Sequence, residues 1–143
     1  MMSYERQLSD GSYGTKIAVD DARIQLPTDI QAVYAKTVQT HTDITVGASD
    51  SALQTGSYMD TKDYSQLSIT VLSDASHAFS VNVQWSHDGI NFQGEDKDVI
   101  NVAGSQRSAG TVRVKAKYAK VEIINGDSAT GHKMNAWAYF SAI

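Results

Sequence analysis

The sequence contains no cysteine and only one proline, Pro27. Without cysteine there is no disulfide framework, no thiolate metal site and no cysteine nucleophile, so folding depends on packing or on association. No stretch approaches the roughly 18 to 20 apolar residues that cross a bilayer, and the first residues, MMSYERQLSDGSYG, contain no apolar signal region. The sequence as written therefore predicts neither a Sec-targeted nor a membrane-spanning chain.

Excess positive charge is also absent. The chain has 143 residues, a formal net charge of −4, 41% hydrophobic residues and 20% charged residues. A chain of this length forms one ordinary domain, and its composition is that of a globular protein. Because the net charge is negative, no overall field attracts nucleic acid or an anionic membrane, and neither partner is expected.

Motifs of catalysis and cofactor binding are missing as well. The serines form no G-x-S-x-G turn, and the glycines form neither a phosphate-binding loop nor a dinucleotide-binding fingerprint. Asp20 and Asp21 are adjacent, so on a strand they would point to opposite faces and not act as a pair. Four histidines are scattered without metal-site spacing: His41, His77, His87 and His132. We expect no enzyme, cofactor or metal, and a solvated His87 beside a turn.

The sequence does contain stretches in which apolar and polar residues alternate. Residues 66–72 read QLSITVL and residues 79–85 read FSVNVQW, each with apolar side chains at every second position. This period of two predicts half-buried strands. The SDASHA stretch between them has turn chemistry, so the two runs are predicted to pair antiparallel as a hairpin.

A second turn follows Trp85, where SHDGINF contains the Asp88-Gly89 dipeptide. Asp-Gly tolerates the positive φ angles of tight hairpins, so the chain is predicted to reverse here, with Phe92 opening the return strand. Trp85 and Phe92 would then pack as an aromatic pair across the hairpin.

Further strands are predicted at residues 97–103, 110–116, 118–125 and 133–143, with weaker ones at 41–48 and 53–59. Their spacing of roughly 8 to 15 residues and the near absence of helical periodicity are typical of a β-sandwich or barrel. We predict an all-β fold, a jelly-roll-like antiparallel β-sandwich of about eight strands over residues 39–143.

Residues 1–38 differ, because their apolar positions are few and widely spaced. They are predicted to form an extended N-terminal arm, with a possible short helix near residues 28–36 after Pro27. Side chains of the arm are candidates for binding a partner: Tyr4, Arg6, Tyr13, Ile17, Ile24 and Leu26.

The last strand carries two further candidates. Met134, Ala136, Ala138 and Phe140 alternate with Asn135, Trp137 and Tyr139. If the first set faces the core, Trp137 and Tyr139 form an exposed pair, which suits an oligomer interface or a sugar-stacking platform, and we favour the interface.

The sequence also contains two clusters of charged residues. Residues 113–120, RVKAKYAK, would place Arg113, Lys115 and Lys117 on one strand face, either as a solvated face or as a site for a phosphate or an acidic partner. Residues 94–98, GEDKD, are read as a solvated hairpin loop in preference to a calcium loop.

Three stretches together resemble small β-sandwich proteins of tailed-phage virions: TGSYMDTKDYSQLSITVLSD, VNVQWSHDGINF and GTVRVKAKYAKVEIINGD, followed by WAYF. The resemblance covers residues 54–141 and includes capsid decoration proteins, head-fibre bases and tail or baseplate modules. The matching positions are Asp60, Tyr64, Leu67, Trp85, Asp88, Gly89, Phe92, Tyr118 and Val121.

This resemblance implies a non-enzymatic virion structural protein that is assembled in the host cytoplasm and attached through its N-terminal arm. Its partners would be the major capsid protein or other virion subunits, and it would form a homo-oligomer, with a trimer favoured. The same hairpin and the KYAKV strand also look like jelly-roll carbohydrate-binding modules, which implies glycan binding as the alternative function.

Overall fold

The computed structural model describes residues 35–142 of the chain. The chain divides into two units, Met1–Tyr34 and Ala35–Ile143. The described part contains seven strands and no helix, so it holds no helix that could span a membrane. The strands are β1 (Ala35–Val46), β2 (Ser51–Leu53), β3 (Met59–Asp60), β4 (Gln66–Ser86), β5 (Gly94–Arg113), β6 (Tyr118–Asn125) and β7 (His132–Ser141).

All strand pairs are antiparallel, and the all-β class is confirmed. The path of paired strands is β1-β7-β4-β6-β2, while β3 also pairs with β6 and β5 also pairs with β4. The sheet curls so that its two halves form the layers of a β-sandwich. Seven strands lie in the described residues, where the sequence predicted about eight.

The long strand β4 organises both layers. On one side it pairs with β5 over almost its whole length. On its other side, residues 66–73 pair with β7 and residues 79–86 pair with β6. The strand therefore belongs to one layer in its first half and to the other layer in its second half.

The predicted hairpin between residues 66–72 and 79–85 is consequently wrong, because both runs belong to one continuous strand of 21 residues. The SDASHA stretch continues the strand, and register shifts between Leu72 and Phe79 accommodate its irregularity. Ser73 and His77 point inward in phase with the apolar positions on either side. In the same way, residues 97–103 and part of 110–116 belong to one strand, β5.

The core follows the predicted alternation. Leu67, Ile69 and Val71 are buried in the first half of β4, and the aromatic and valine side chains of its second half are buried with them. The closing strand β7 contributes the small-residue face that was expected to be internal: Met134, Ala136, Ala138 and Phe140. Burial of these side chains is the main favourable term in folding the sandwich.

Strand β5 passes close to itself where Gly110 lies against Val99 and Ile100 of the same strand. A Cβ atom built on Gly110 would lie 2.2 Å from the carbonyl oxygen of Val99 and 2.9 Å from Cγ1 of Ile100. No side chain fits at that distance, so glycine is required at this position by the close approach of the backbone.

The Asp88-Gly89 turn is present, with Gly89 at φ +76°. The predicted packing of Trp85 against Phe92 is wrong. Phe92 is 54% exposed, and β5 begins only at Gly94. Trp85 is buried, and its indole Nε1 donates a hydrogen bond to Asp96 at 2.7 Å. The indole needs a hydrogen-bond partner when it is buried, and Asp96 supplies one from the neighbouring strand.

The first strand begins at Ala35, four residues before the predicted start of the sandwich domain. The division into an arm and a sandwich stays a prediction. Most of the predicted helix near residues 28–36 lies outside the described residues, while Ala35 and Lys36 belong to strand β1.

Candidate functional site

Trp137 and Tyr139 lie on the outer face of the β7 layer, opposite the buried Ala138 and Phe140. Trp137 is half-buried and pairs with Gln39 of β1 on one side and Thr70 of β4 on the other. Tyr139 is 48% exposed and lies between Thr37 and Ser68. The strand pairing thus sets both aromatic side chains among short polar neighbours.

Beside Trp137 the surface forms an open depression of about 450 Å³. The atoms exposed in the depression are mostly apolar. They belong to Thr70, Val71, Leu72, Arg107, Ser108, Ala109 and Trp137. We call this depression, together with Tyr139, the Trp137 face. Arg107 is the one charged residue that lines the depression.

The six arm residues predicted to bind a partner lie outside the described residues: Tyr4, Arg6, Tyr13, Ile17, Ile24 and Leu26. The structure therefore brings together only the second predicted set, Trp137 and Tyr139. Their roles in binding stay predictions.

A second candidate lies at the end of the sandwich where β4 ends and β6 begins. A cleft of about 370 Å³ is lined by Thr61, Lys62, Tyr64, His87, Val114, Lys115, Ala116 and Lys117. We call it the lysine cleft. The sequence indicated the exposed side of residues 113–117, but nothing local signalled that Lys62 and His87 would join it.

The loop of residues 86–93 borders this cleft and is ordered by one carboxylate. Oδ1 of Asp88 accepts hydrogen bonds from the backbone amides of Ile90 and Asn91, both at 2.9 Å. Oδ2 accepts a third from the side-chain amide of Asn91 at 2.8 Å, and the Ser86 hydroxyl donates a fourth to Oδ1. Donation from Asn91 and Ile90 holds the pKa of Asp88 well below its usual range. His87 is exposed, as expected.

The acidic run at residues 94–98 is not the predicted hairpin loop, because it forms the start of strand β5. Asp96 accepts hydrogen bonds from Trp85 and from Lys115, whose Nζ lies 2.8 Å from Oδ2. Asp98 has a positive φ of 56°, and its backbone amide donates to Asn82. The carboxylate of Asp96 is therefore engaged by Trp85 and Lys115.

A third candidate site contains His77 and His132, which are distant from each other in the sequence. Both side chains are buried in the described structure, as is His41. His132 contacts Asp74 through Nδ1 at 2.7 Å and Asp127 through Nε2 at 2.9 Å. His77 contacts the Ser73 hydroxyl and the Ala78 carbonyl through its two ring nitrogens. Among residues 35–142, no group of three or more acidic or histidine side chains is arranged to hold a metal ion.

His41 is also fully engaged. Its Nε2 lies 2.9 Å from the carbonyl oxygen of Ala52, and its Nδ1 lies 3.0 Å from the Thr40 hydroxyl. Burial lowers the pKa of His41. All three buried histidines thus use both ring nitrogens in contacts with the protein.

Comparison with known proteins shows the fold alone. No family model and no curated protein matches the sequence. The solved structure of the PBSX exported protein XepA is similar with a TM-score of 0.51 and 14% identity, over 76% of this chain and 37% of that one. The VP2 subviral particle of infectious bursal disease virus is similar with a TM-score of 0.54 and 12% identity, over 76% of this chain and 32% of that one.

The structure of the Gx strain of the same virus is similar with a TM-score of 0.50 and 7% identity, and the shares covered are again 76% and 32%. The chain spans about a third of the length of these similar chains. Its β-sandwich is thus a fold that also occurs in a viral particle protein and in a PBSX exported protein.

Proposed function

We propose that the chain is a non-enzymatic structural protein of a tailed-phage virion, of the capsid decoration or head-fibre type. The observation that carries the proposal is the Trp137 face. Its aromatic side chains are flanked by the uncharged side chains of Thr37, Gln39, Ser68 and Thr70. A nearly uncharged aromatic surface on the outer face of the sheet resembles the centre of a protein interface, which is depleted of charge and enriched in tryptophan and tyrosine.

Two further observations support this proposal. The VP2 subviral particle has a similar fold, and the similarity is limited to the fold. The three buried histidines have both ring nitrogens within hydrogen-bond distance of protein groups, which agrees with a structural role for these side chains.

In the proposed mechanism, copies of the chain associate through the Trp137 face, and residues preceding β1 attach the oligomer to the major capsid protein or to other virion subunits. A subunit that binds only the assembled lattice stabilises it by mass action, by about 2.7 kcal/mol at a hundredfold excess over Kd. No catalytic step or cofactor is involved.

The test is the oligomeric state of the full chain by sedimentation velocity. We expect a homo-oligomer, with a trimer favoured, that dissociates in the Trp137→Ala variant. Ile90→Ala is the matched control, because Ile90 is a large apolar side chain that is 79% exposed and lies outside the Trp137 face. A monomeric full chain, or equal dissociation of both variants, would contradict the proposed interface.

Attachment is tested separately by co-sedimentation with tailed-phage capsids. A variant that lacks residues 1–34 keeps all of strand β1 and is expected to lose binding. The alternative function, glycan binding by a jelly-roll module, predicts instead that the Trp137→Ala variant loses binding on a glycan array while the oligomeric state is unchanged.

A further inference from the structure

The lysine cleft concentrates positive charge in a chain whose net charge is −4. Lys62, Lys115 and Lys117 line it together with His87. Three lysines therefore line one depression of an acidic protein, and cationic side chains grouped in this way attract anionic groups.

Two segments are held side by side to build the cleft. The backbone amide of Thr61 donates to the carbonyl oxygen of Lys117 at 2.8 Å, and the amide of Val114 donates to that of Ser65 at 2.9 Å. Thr61 is completely buried, and its hydroxyl donates to the carbonyl oxygen of Ala116. These bonds hold the backbone of Lys62 beside that of Lys115 and Lys117 without help from a ligand.

The charges of the cleft are only partly neutralised. Lys115 forms an ion pair with Asp96 at 2.8 Å, but Lys62 lies 3.8 Å from Asp60, with both side chains largely exposed. An exposed pair at this distance is weak. No carboxylate of residues 35–142 forms an ion pair with Lys117. Within residues 35–142, the ammonium groups of Lys62 and Lys117 are therefore not neutralised by a close carboxylate.

The lining and size of the cleft indicate what kind of anion fits. Its volume of about 370 Å³ is in the range of small-molecule sites. Half-buried Tyr64, Val114 and Ala116 supply apolar contacts between the cationic groups. This combination suits a compact ring that carries one carboxylate and presents an apolar face, whereas inorganic phosphate would leave the apolar lining unused.

We propose that the lysine cleft binds an acidic sugar residue of a polysaccharide, with its carboxylate between Lys62 and Lys117. The Asp88 loop, residues 86–93, places His87 at the rim of the cleft. A Cβ atom built on Gly89 would lie 3.4 Å from the ring of Tyr118, so the loop passes close to the start of β6. This site is separate from the Trp137 face and does not depend on the proposed structural role.

The experiment is isothermal titration calorimetry of the full chain with trigalacturonic acid. The controls are the neutral galactotriose of the same linkage, triglutamate and inorganic phosphate. We expect trigalacturonic acid to bind, to lose affinity as the salt concentration rises, and to bind at least about tenfold more tightly than any control ligand.

The variant that tests the assignment is Lys62→Gln combined with Lys117→Gln, for which we expect affinity to fall about tenfold or more. Lys97→Gln combined with Lys133→Gln is the matched control, because it removes the same charge from two exposed lysines that do not line the cleft. Its affinity should change less than about twofold.

Several results would overturn the proposal. They are the absence of trigalacturonic acid binding at millimolar concentration, equal binding of galactotriose, equal binding of triglutamate or phosphate, and equal loss of affinity in the two double variants. Equal binding of triglutamate would identify an acidic peptide as the partner chemistry. The oligomeric state measured for the proposed function is independent of all these outcomes.

Discussion

The imidazole rings of His77 and His132 stack face to face, with centroids 3.7 Å apart and an interplanar angle of 8°. Carboxylate oxygens of Asp127 and Asp74 face the two ring nitrogens of His132. Since ionised carboxylates only accept hydrogen bonds, this arrangement favours the doubly protonated, cationic ring and raises the pKa of His132. The cluster joins the crossing point of β4 to the connection between β6 and β7 and so ties the two layers together at one end.

The stability of the sandwich is expected to depend on the protonation of His132. Hydrogen bonds from its ring to Asp127 and Asp74 raise the pKa of His132 above the ordinary value of 6.5. A raised pKa in the folded state contributes stability that is complete below pH 6.5 and is lost as the pH rises through the folded-state pKa. The contribution of His132 to the free energy of unfolding by urea should therefore decrease from pH 5.5 to pH 8.5.

The His132→Gln variant should lose this part of the pH dependence, while His87→Gln, at an exposed position, should retain it. The stability contributed by Asp74 and Asp127 depends on pH in the opposite direction, because their hydrogen bonds lower the pKa of each carboxyl below 3.8. Their contribution is complete above pH 3.8 and is lost as the pH falls through the lowered values. A pH dependence between 5.5 and 8.5 that is the same in the wild type and in the His132→Gln variant would contradict the role of His132.

Gly110→Ala should destabilise the protein, because the new methyl group would lie 2.2 Å from the carbonyl oxygen of Val99. Overpacking of a dense region costs about 1 to 3 kcal/mol, measured as the difference in unfolding free energy. Gly104→Ala in the same strand is the control, because nothing lies within 4 Å of its added methyl group. We expect the control to change stability by no more than about 0.5 kcal/mol. Equal stability of the two variants would show that β5 adjusts freely at this point.

Asn125→Ala should be among the more harmful polar substitutions. The side chain is buried, and its amide group donates to the carbonyl oxygens of Val46, Gly47 and Thr130. Each carbonyl left unsatisfied in the interior costs about 1 to 3 kcal/mol. The exposed Asn101→Ala variant is the control, and urea unfolding measures both. A small effect at Asn125 would mean that water replaces the lost amide.

Asp88→Ala should loosen the loop of residues 86–93 and leave the core intact. Four hydrogen bonds to one carboxylate are lost, including those from the amides of Ile90 and Asn91. Hydrogen exchange of these two amides should accelerate, while the amides of β6 stay protected. Asp63→Ala, an exposed change outside the loop, should leave both amides as they are. If hydrogen exchange of the Ile90 and Asn91 amides were unchanged, contacts other than those of Asp88 would hold the loop in place.

The alternation of side chains made much of the sandwich predictable. Leu67, Ile69 and Val71 are buried as the period of two indicates, and so is the small-residue face of β7. The Asp88-Gly89 turn was readable too, because a backbone φ of +76° at residue 89 demands glycine or a similarly permissive residue. The signal in both cases is local, since it depends on chain geometry within a few residues.

The path of β4 was predicted wrongly for a physical reason. Turn-forming residues at SDASHA suggested a reversal, but Ser73 and His77 stay in phase with the buried positions on both sides, as a continuous strand requires. In tertiary context, the polar groups of this stretch find partners from other strands: Gln106 donates to the carbonyl oxygen of Ser73, and Asp74 accepts from Lys133 and His132. Local turn propensity could not anticipate those partners.

The sequence by itself determined which side chains face inward, since alternation along an extended chain follows from backbone geometry alone. Only the tertiary structure decided that His77 stacks on His132, that Lys62 lies beside Lys117, and that Phe92 stands exposed while Trp85 binds Asp96. These relationships join residues distant along the chain, and they depend on strand register and on how the sheet curls. Neither is encoded in any short stretch of residues, because each arises from the packing of the whole sandwich.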